Sequence, residues 1–377
     1  MSMDWNSVWN AVQDELTPER LALALITTLA IGLLKFLGVK ILKNLRKVAS
    51  AAIAVVLALP RYLSLLGFVQ RAEKPIWEYR RFGKVELHNL PPIITVMNFK
   101  GGVGKTTIAA NVAACLSLKH EKKVLLVDLD YQGSLSSELL PVVQNVQGLL
   151  NTVGKWLSSA KPPIDPQSDF ITPEGLPNVR LLTADYDLSD IEDNQIQRWL
   201  LQDRTNGDVR SRLARYLRAN RLKEDCDFDY IIMDAPPRLS LAAANAVRAS
   251  TIILIPTRLQ YLASQPIAKM LERLKAFKEK SGGGFFIGGV ICNFAADKSR
   301  VTAKEQPYLD NVVEALSEHP DRPIVFATRV PDTPDIGSSD SRPAYLSNSK
   351  GPNAPTPIFD QLTIEILDRL RQISAGR

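Results

Sequence analysis

Cysteine and histidine are scarce in this chain. Its 377 residues hold three of each, Cys115, Cys226 and Cys292 with His88, His120 and His319. They lie far apart, which excludes a disulfide framework or a zinc site built from closely spaced pairs and points to a reducing, cytosolic compartment. There is no internal repeat, and a cleavable signal peptide is not expected, because the first basic cluster follows the first apolar run instead of leading it. Hydrophobic and charged fractions of 45% and 23% exclude wholesale disorder. Excess charge of one sign is nearly absent over most of the length. Residues 91–377 carry 34 Lys/Arg against 33 Asp/Glu, a net of +1, whereas residues 1–90 carry 12 against 7, a net of +5. The basic excess belongs to the N-terminal part.

What is present falls into distinct zones. Residues 1–20 are polar and acidic with two tryptophans, and residues 21–69 are dominated by apolar stretches such as LALALITTLAIGLL and VASAAIAVVLAL. A charged connector follows. From Ile93 onward, short β-branched runs alternate with helical stretches: 93–98, 123–130, 179–184, 229–235, 250–256, 285–292 and 323–330, with helices expected at 105–119, 208–223, 264–280 and 357–373. Runs without in/out alternation suit strands buried on both faces. The alternation predicts a doubly wound, mostly parallel α/β sheet preceded by a hydrophobic helical extension.

Residues 98–107 read NFKGGVGKTT, directly after IITVM. The usual phosphate-loop pattern, G-x-x-x-x-G-K-[ST], has glycine where this chain has Phe99. Gly101, Gly102 and Gly104 still let backbone N–H groups turn inward around phosphate oxygens, and the following helix adds its positive N-terminal end. Lys105 is expected at the β- and γ-phosphates and Thr106 at magnesium. The second run ends in LLVDLDYQGS, whose Asp128 and Asp130 leave the sheet on the same side. That edge is where such sheets bind ligands, so both carboxylates are expected to face a triphosphate and its metal. DYIIMDAPP ends a further run with Asp234, suited to hold magnesium through water.

In this order, Lys100–Thr107, Asp128–Gly133 and Asp234–Pro237 resemble the ParA/MinD family of P-loop ATPases, whose deviant loop reads K-G-G-x-G-K-T-T. The resemblance runs from about Ile93 to the C terminus and includes GVICNFAADKSR and RVPDTPD. It implies ATP and Mg²⁺ as cofactors, an ATP-dependent homodimer, and a loop formed by Lys100, Gly101, Gly102, Val103, Gly104, Lys105, Thr106 and Thr107. In that family the first lysine reaches across the dimer to the partner's phosphates. Lys100 matches it, so the missing glycine at Phe99 is a family trait. By the same resemblance Thr107 binds the α-phosphate, Asp130 orients the attacking water, Asp128 supports the metal site, Asp234 stands behind Mg²⁺, and Asn293 matches a base-contacting position. Two departures stand out: Arg238 where a small polar residue is common, and Arg342 where many relatives carry glycine.

The extension is not explained by the resemblance. The chain is expected to divide into a hydrophobic, membrane-associated helical segment at 1–70, a basic connector at 71–91 and the ATPase domain at 92–377. Residues 21–39 are long enough to span a bilayer, and Lys35, Lys40, Lys43, Arg46 and Lys47 follow. The positive-inside rule then places the ATPase on the cytoplasmic face of the inner membrane, with lipid and a cargo or activating protein as partners. One span, or two interfacial helices with the basic segment on anionic headgroups, is expected, and the remaining reading is a buried helical hairpin packed on the ATPase. A second functional reading is a soluble DNA-partitioning ATPase whose N-terminal helices bind protein. Its basis is the run from Arg210 to Lys223, six bases without an acid, either a non-specific DNA surface or a solvated helix face. A bacterial tyrosine kinase is disfavoured, because the last 32 residues contain no tyrosine.

Overall fold

The computed structural model describes residues 26–30, 91–140, 152–159, 166–202, 208–218, 222, 226–281, 284–337, 343–346 and 354–375. The chain divides into two compact units, Met1–Glu73 and Lys74–Arg377. In the first, residues 26–30 are helical. Among the described residues no helix is long and apolar enough to cross a membrane. The expected span at 21–39, apart from residues 26–30, lies outside the described residues, as do the connector up to residue 90 and Arg342.

The second unit is built on eight strands: β1 (Ile93–Val96), β2 (Val124–Asp128), β3 (Val179–Leu182), β4 (Tyr230–Asp234), β5 (Ile252–Thr257), β6 (Phe286–Ala295), β7 (Ile324–Val325) and β8 (Val330–Pro331). The order across the sheet is β3-β2-β4-β1-β5-β6-β7, with β8 pairing the far end of β6, and every named pairing is parallel. The helices are α1 (Lys105–Leu118), α2 (Ser134–Leu139), α3 (Val153–Ser158), α4 (Asp187–Gln202), α5 (Arg212–Leu217), α6 (Leu241–Ala249), α7 (Tyr261–Ser281), α8 (Gln306–Ser317) and α9 (Pro355–Ala375).

Successive residues of the central strands enter opposite cores, as the pleat requires. Ile93, Leu125, Val127, Ile231, Met233 and Ile253 pack with α3, α5, α6 and α7 on one face. Ile94, Val96, Leu126, Ile232 and Leu254 pack with α1 and α9 on the other. Both faces are covered, which is why the strand sequences are continuously apolar. Strand ends thus stay at the expected edge, and β1, β2 and β4 finish side by side with Val96 and Asp128 both in register with Asp234.

The expected helix at 208–223 is corrected. Over residues 208–218 it is a 3₁₀ turn, Val209–Ser211, followed by the short α5, and residues 219–221 and 223 lie outside the described residues. The expected strand at 323–330 is two short strands, β7 and β8, and helices α4, α6 and α8 complete the layers.

Candidate functional site

The loop after β1 is pinned before it turns. Asn98 Nδ2 donates to the carbonyl of Pro256 at 2.8 Å, and its Oδ1 accepts from Lys100 N at 3.0 Å. Gly102 and Gly104 have φ of +68° and +84°, left-handed values that favour glycine. Gly104 is also the residue before α1, so that helix starts with no capping side chain and no acid in its first turn. The first-turn N–H groups are therefore directed at whatever the loop encloses, which favours an anion.

Lys105 is buried, and its Nζ donates to the carbonyl of Lys100 at 3.2 Å. Burial lowers its pKa, and the negative charges of Asp234 and Asp130 oppose that shift. Thr106 Oγ1 donates to Asp234 Oδ2 at 2.7 Å. The other oxygen of Asp234, Oδ1, is buried without a hydrogen-bond partner. Burial and the nearby Asp128 raise the Asp234 pKa well above the usual carboxylate range, against the pull of Thr106 and Lys105. A buried acceptor oxygen beside a threonine hydroxyl and a phosphate loop fits a hydrated magnesium ion. Lys100 is half-buried and, among the described residues, its ammonium makes no ion pair.

The structure brings Asp128 to the site in a specific way. Its Oδ1 accepts from Asp130 N at 3.0 Å, and its Oδ2 accepts from Ser136 N at 2.9 Å and Ser136 Oγ at 2.7 Å. Ser136 Oγ in turn accepts from Ala184 N at 3.1 Å, beyond the end of β3. Both Asp128 oxygens are thus engaged by the chain that carries Asp130. Burial outweighs these donors and pushes the Asp128 pKa up to about 6. Asp130 itself is mostly buried, and its Oδ1 accepts from Gln132 N at 3.1 Å.

Asn293, at the end of β6, meets the loop from another strand. Its Nδ2 donates to the carbonyl of Val103 at 2.8 Å, and its Oδ1 is buried without a partner. Sequence reasoning had no signal for this contact, because it joins residues 190 positions apart.

The run from Arg210 is not a basic surface over the part described. Arg210 is fully buried and holds Asp208 through Nε at 2.9 Å and Nη2 at 2.7 Å. Arg212 is buried against Gln195 Oε1 at 2.7 Å and the carbonyl of Leu157, and Arg218 donates to the carbonyl of Ala249 at 2.7 Å. Neither the DNA surface nor the solvated face describes these three guanidinium groups. Arg221 and Lys223 lie outside the described residues.

Comparison with known proteins agrees with this geometry. A family profile described as AAA domain matches residues 92–284. The chain is 30% identical over 209 residues to "Chromosome partitioning protein ParA" of Myxococcus xanthus, covering 55% of this chain and 67% of the relative. It is 31% identical over 205 residues to "Sporulation initiation inhibitor protein Soj" of Bacillus subtilis, covering 53% and 71%. Among solved structures, a cobyrinic acid a,c-diamide synthase from Mycobacterium smegmatis, with bound ATP analog and magnesium, superposes with a TM-score of 0.56. It is 23% identical and the match covers 76% of this chain and 98% of that one, a likeness of fold. With its phosphate loop, both aspartate strand ends and these relatives in agreement, the chain belongs to the ParA/MinD family of P-loop ATPases.

Proposed function

We propose that this protein is an Mg²⁺-dependent ATPase that switches between monomer and ATP-bound dimer, tethered to the cytoplasmic face of the inner membrane, where it positions or loads a cargo. The observation carrying the reading is the triad of Lys105, Thr106 and Asp234 under an uncapped helix start, with Lys100 left outside it. In this reading the α1 N–H groups and Lys105 neutralise the β- and γ-phosphates, and Thr107 meets the α-phosphate. Thr106 and Asp234 would hold Mg²⁺, which when bound would supply charge neutralisation to the phosphates. Asp130 accepts a hydrogen bond from the attacking water, while Asp128 fixes the turn that carries Asp130. The free Oδ1 of Asn293 suits the exocyclic amine of adenine, a donor, while its Nδ2 stays on the loop.

Lys100 stands ahead of the glycine turn, so its ammonium is available to a second subunit's phosphates. The tether is residues 21–39 with the basic cluster after them.

Lys105→Ala is expected to abolish binding of a fluorescent ATP analogue, whereas Asp130→Ala binds it and hydrolyses ATP at least about a hundredfold more slowly. An Asp130→Ala protein with the wild-type rate overturns the water-orienting role. Lys100→Ala is expected to keep ATP affinity and lose dimerisation with non-hydrolysable ATP, read by light scattering.

A second reading, a soluble DNA-partitioning ATPase, is favoured by the name of the Myxococcus relative. ATP-dependent binding to anionic liposomes against binding to duplex DNA separates the two. The buried state of Arg210 and Arg212 removes two of the charges that such a DNA surface would have used.

A further inference from the structure

Beside Asp130, groups from three separate elements converge. The turn Asp130–Gly133 closes through Gly133 N donating to the Asp130 carbonyl at 2.8 Å, and it carries the half-buried Tyr131. From the loop after β4, the guanidinium carbon of Arg238 lies 4.7 Å from the centre of the Tyr131 ring. The same guanidinium donates through Nη2 to Glu192 Oε2 on α4 at 2.9 Å, with Ser189 Oγ at 3.4 Å. The Glu192 side chain is 4% exposed, and its Oε1 accepts from Ala242 N in the first turn of α6.

We propose that Arg238 is a positioning residue for hydrolysis, which clamps the Asp130 turn by stacking on Tyr131 while Glu192 holds its guanidinium still. The inference rests on the hydrolysis reading given above. On its buried side the turn is fixed by Asp128, through Asp130 N. On the other side the Tyr131 ring is met by a planar cation that an ion pair on a rigid helix has already oriented. Stacking a guanidinium on an aromatic face gains from a preorganised cation, and the Arg238 side chain, 45% exposed, depends on that preorganisation and not on burial. Glu192 supplies that preorganisation, because its burial would leave it a costly lone charge without Arg238. The clamp therefore joins the loop after β2, which carries Asp130, and the loop that follows Asp234 at the end of β4 to α4 and α6. A loosened turn leaves the phosphates bound and misplaces only the carboxylate that meets water, so the cost falls on kcat.

The test uses the full chain with Arg238→Ala, Tyr131→Ala, Tyr131→Phe and the double Arg238→Ala/Tyr131→Ala. Each single alanine is expected to lower kcat about tenfold, with KM for ATP within about twofold, and the double to be no worse than the worse single. Tyr131→Phe, which keeps the ring face, is expected to stay near wild type. Tyr131→Ala and Tyr131→Phe leave the Glu192 pair intact, so they remain informative where Arg238→Ala folds poorly. Additive losses in the double, or a Tyr131→Phe as damaged as Tyr131→Ala, overturn the clamp. If the wild-type chain binds an ATP analogue and hydrolyses no ATP, the functional reading fails by itself. The clamp is then judged by amide hydrogen exchange of residues 130–133, expected to rise about tenfold in both alanine variants and not in Tyr131→Phe. Unchanged exchange in the alanine variants overturns it.

Discussion

A side-chain carbon at position 104 would overlap Asn293 Nδ2 and approach the Phe294 ring. With φ at +84° the position is also left-handed, so a substitution there meets two separate penalties. Gly104→Ala is expected to cost about 1–3 kcal/mol from the backbone alone, and more from the displaced amide. Combining it with Asn293→Ala should recover the steric part and leave the backbone part, a coupling that thermal denaturation of the four proteins measures. The glycine pattern and Lys105 were legible because spacing alone encodes them. Asp128 was half legible: its position at a strand end can be read, but its three hydrogen bonds, one from Asp130 N and two from Ser136 in α2, depend on a turn that only the folded chain closes. Asn293 was found through resemblance, and the reason it matters to the loop was not in the local sequence at all.

At the scale of elements, the strands of the central sheet were readable and the Arg210–Arg218 stretch was not. Continuous β-branched runs have one comfortable home, a sheet covered on both faces, and β1, β2, β4 and β5 took it. An arginine run has several, and here tertiary partners decide: Asp208, Gln195 and two backbone carbonyls take up three of the guanidinium groups. Arg210→Ala is therefore expected to destabilise the domain by about 3–5 kcal/mol, by stranding a largely buried Asp208, and its effect should be seen in urea denaturation before any change in DNA affinity. A similar junction closes the far side of the sheet. Glu305, ahead of α8, pairs with the buried Arg329 at 2.9 Å and accepts from Thr302 N, Thr302 Oγ1 and Ala296 N. Burial acts to raise the Glu305 pKa, but these donors outweigh it and hold the carboxyl at about 2. A depressed folded value means that the contribution is complete above the unfolded pKa of about 4.3 and fades as pH falls toward 2. Glu305→Gln should thus be clearly less stable than wild type at pH 7, and the gap should narrow as pH drops below about 4.5. Chemical denaturation at pH 7, 5 and 3.5 checks the trend, and a constant gap would contradict it.

For the molecule as a whole, the apolar length of residues 21–39 against a hydrocarbon core of about 30 Å sets the proposed address. In the proposed tether Lys35, near one end of that stretch, would snorkel, and the five basic residues from Lys35 to Lys47 would each add about 1 kcal/mol of attraction to an anionic leaflet. The full chain is expected to pellet with membranes and resist high salt, and a truncated chain starting at Glu86 to stay soluble and hydrolyse ATP. Release by salt would reduce the span to an interfacial helix. A full chain that stays in solution without lipid or detergent would make the segment a buried hairpin. The sheet order has a further consequence, for the time course of biosynthesis. The strand that presents the phosphate loop lies between β4 and β5, and Ile93 N donates to Thr251 Oγ1, 158 residues later. At about 5–20 residues per second a ribosome needs about 8–30 s to deliver that partner. Until β4 (Tyr230–Asp234) is made, β1 has neither neighbour, and until Thr251 follows it has only one, while residues 21–39 have already left the exit tunnel. A ribosome-stalled chain ending near residue 225 should accordingly bind no nucleotide, so the nascent protein can reach its address before it is able to switch.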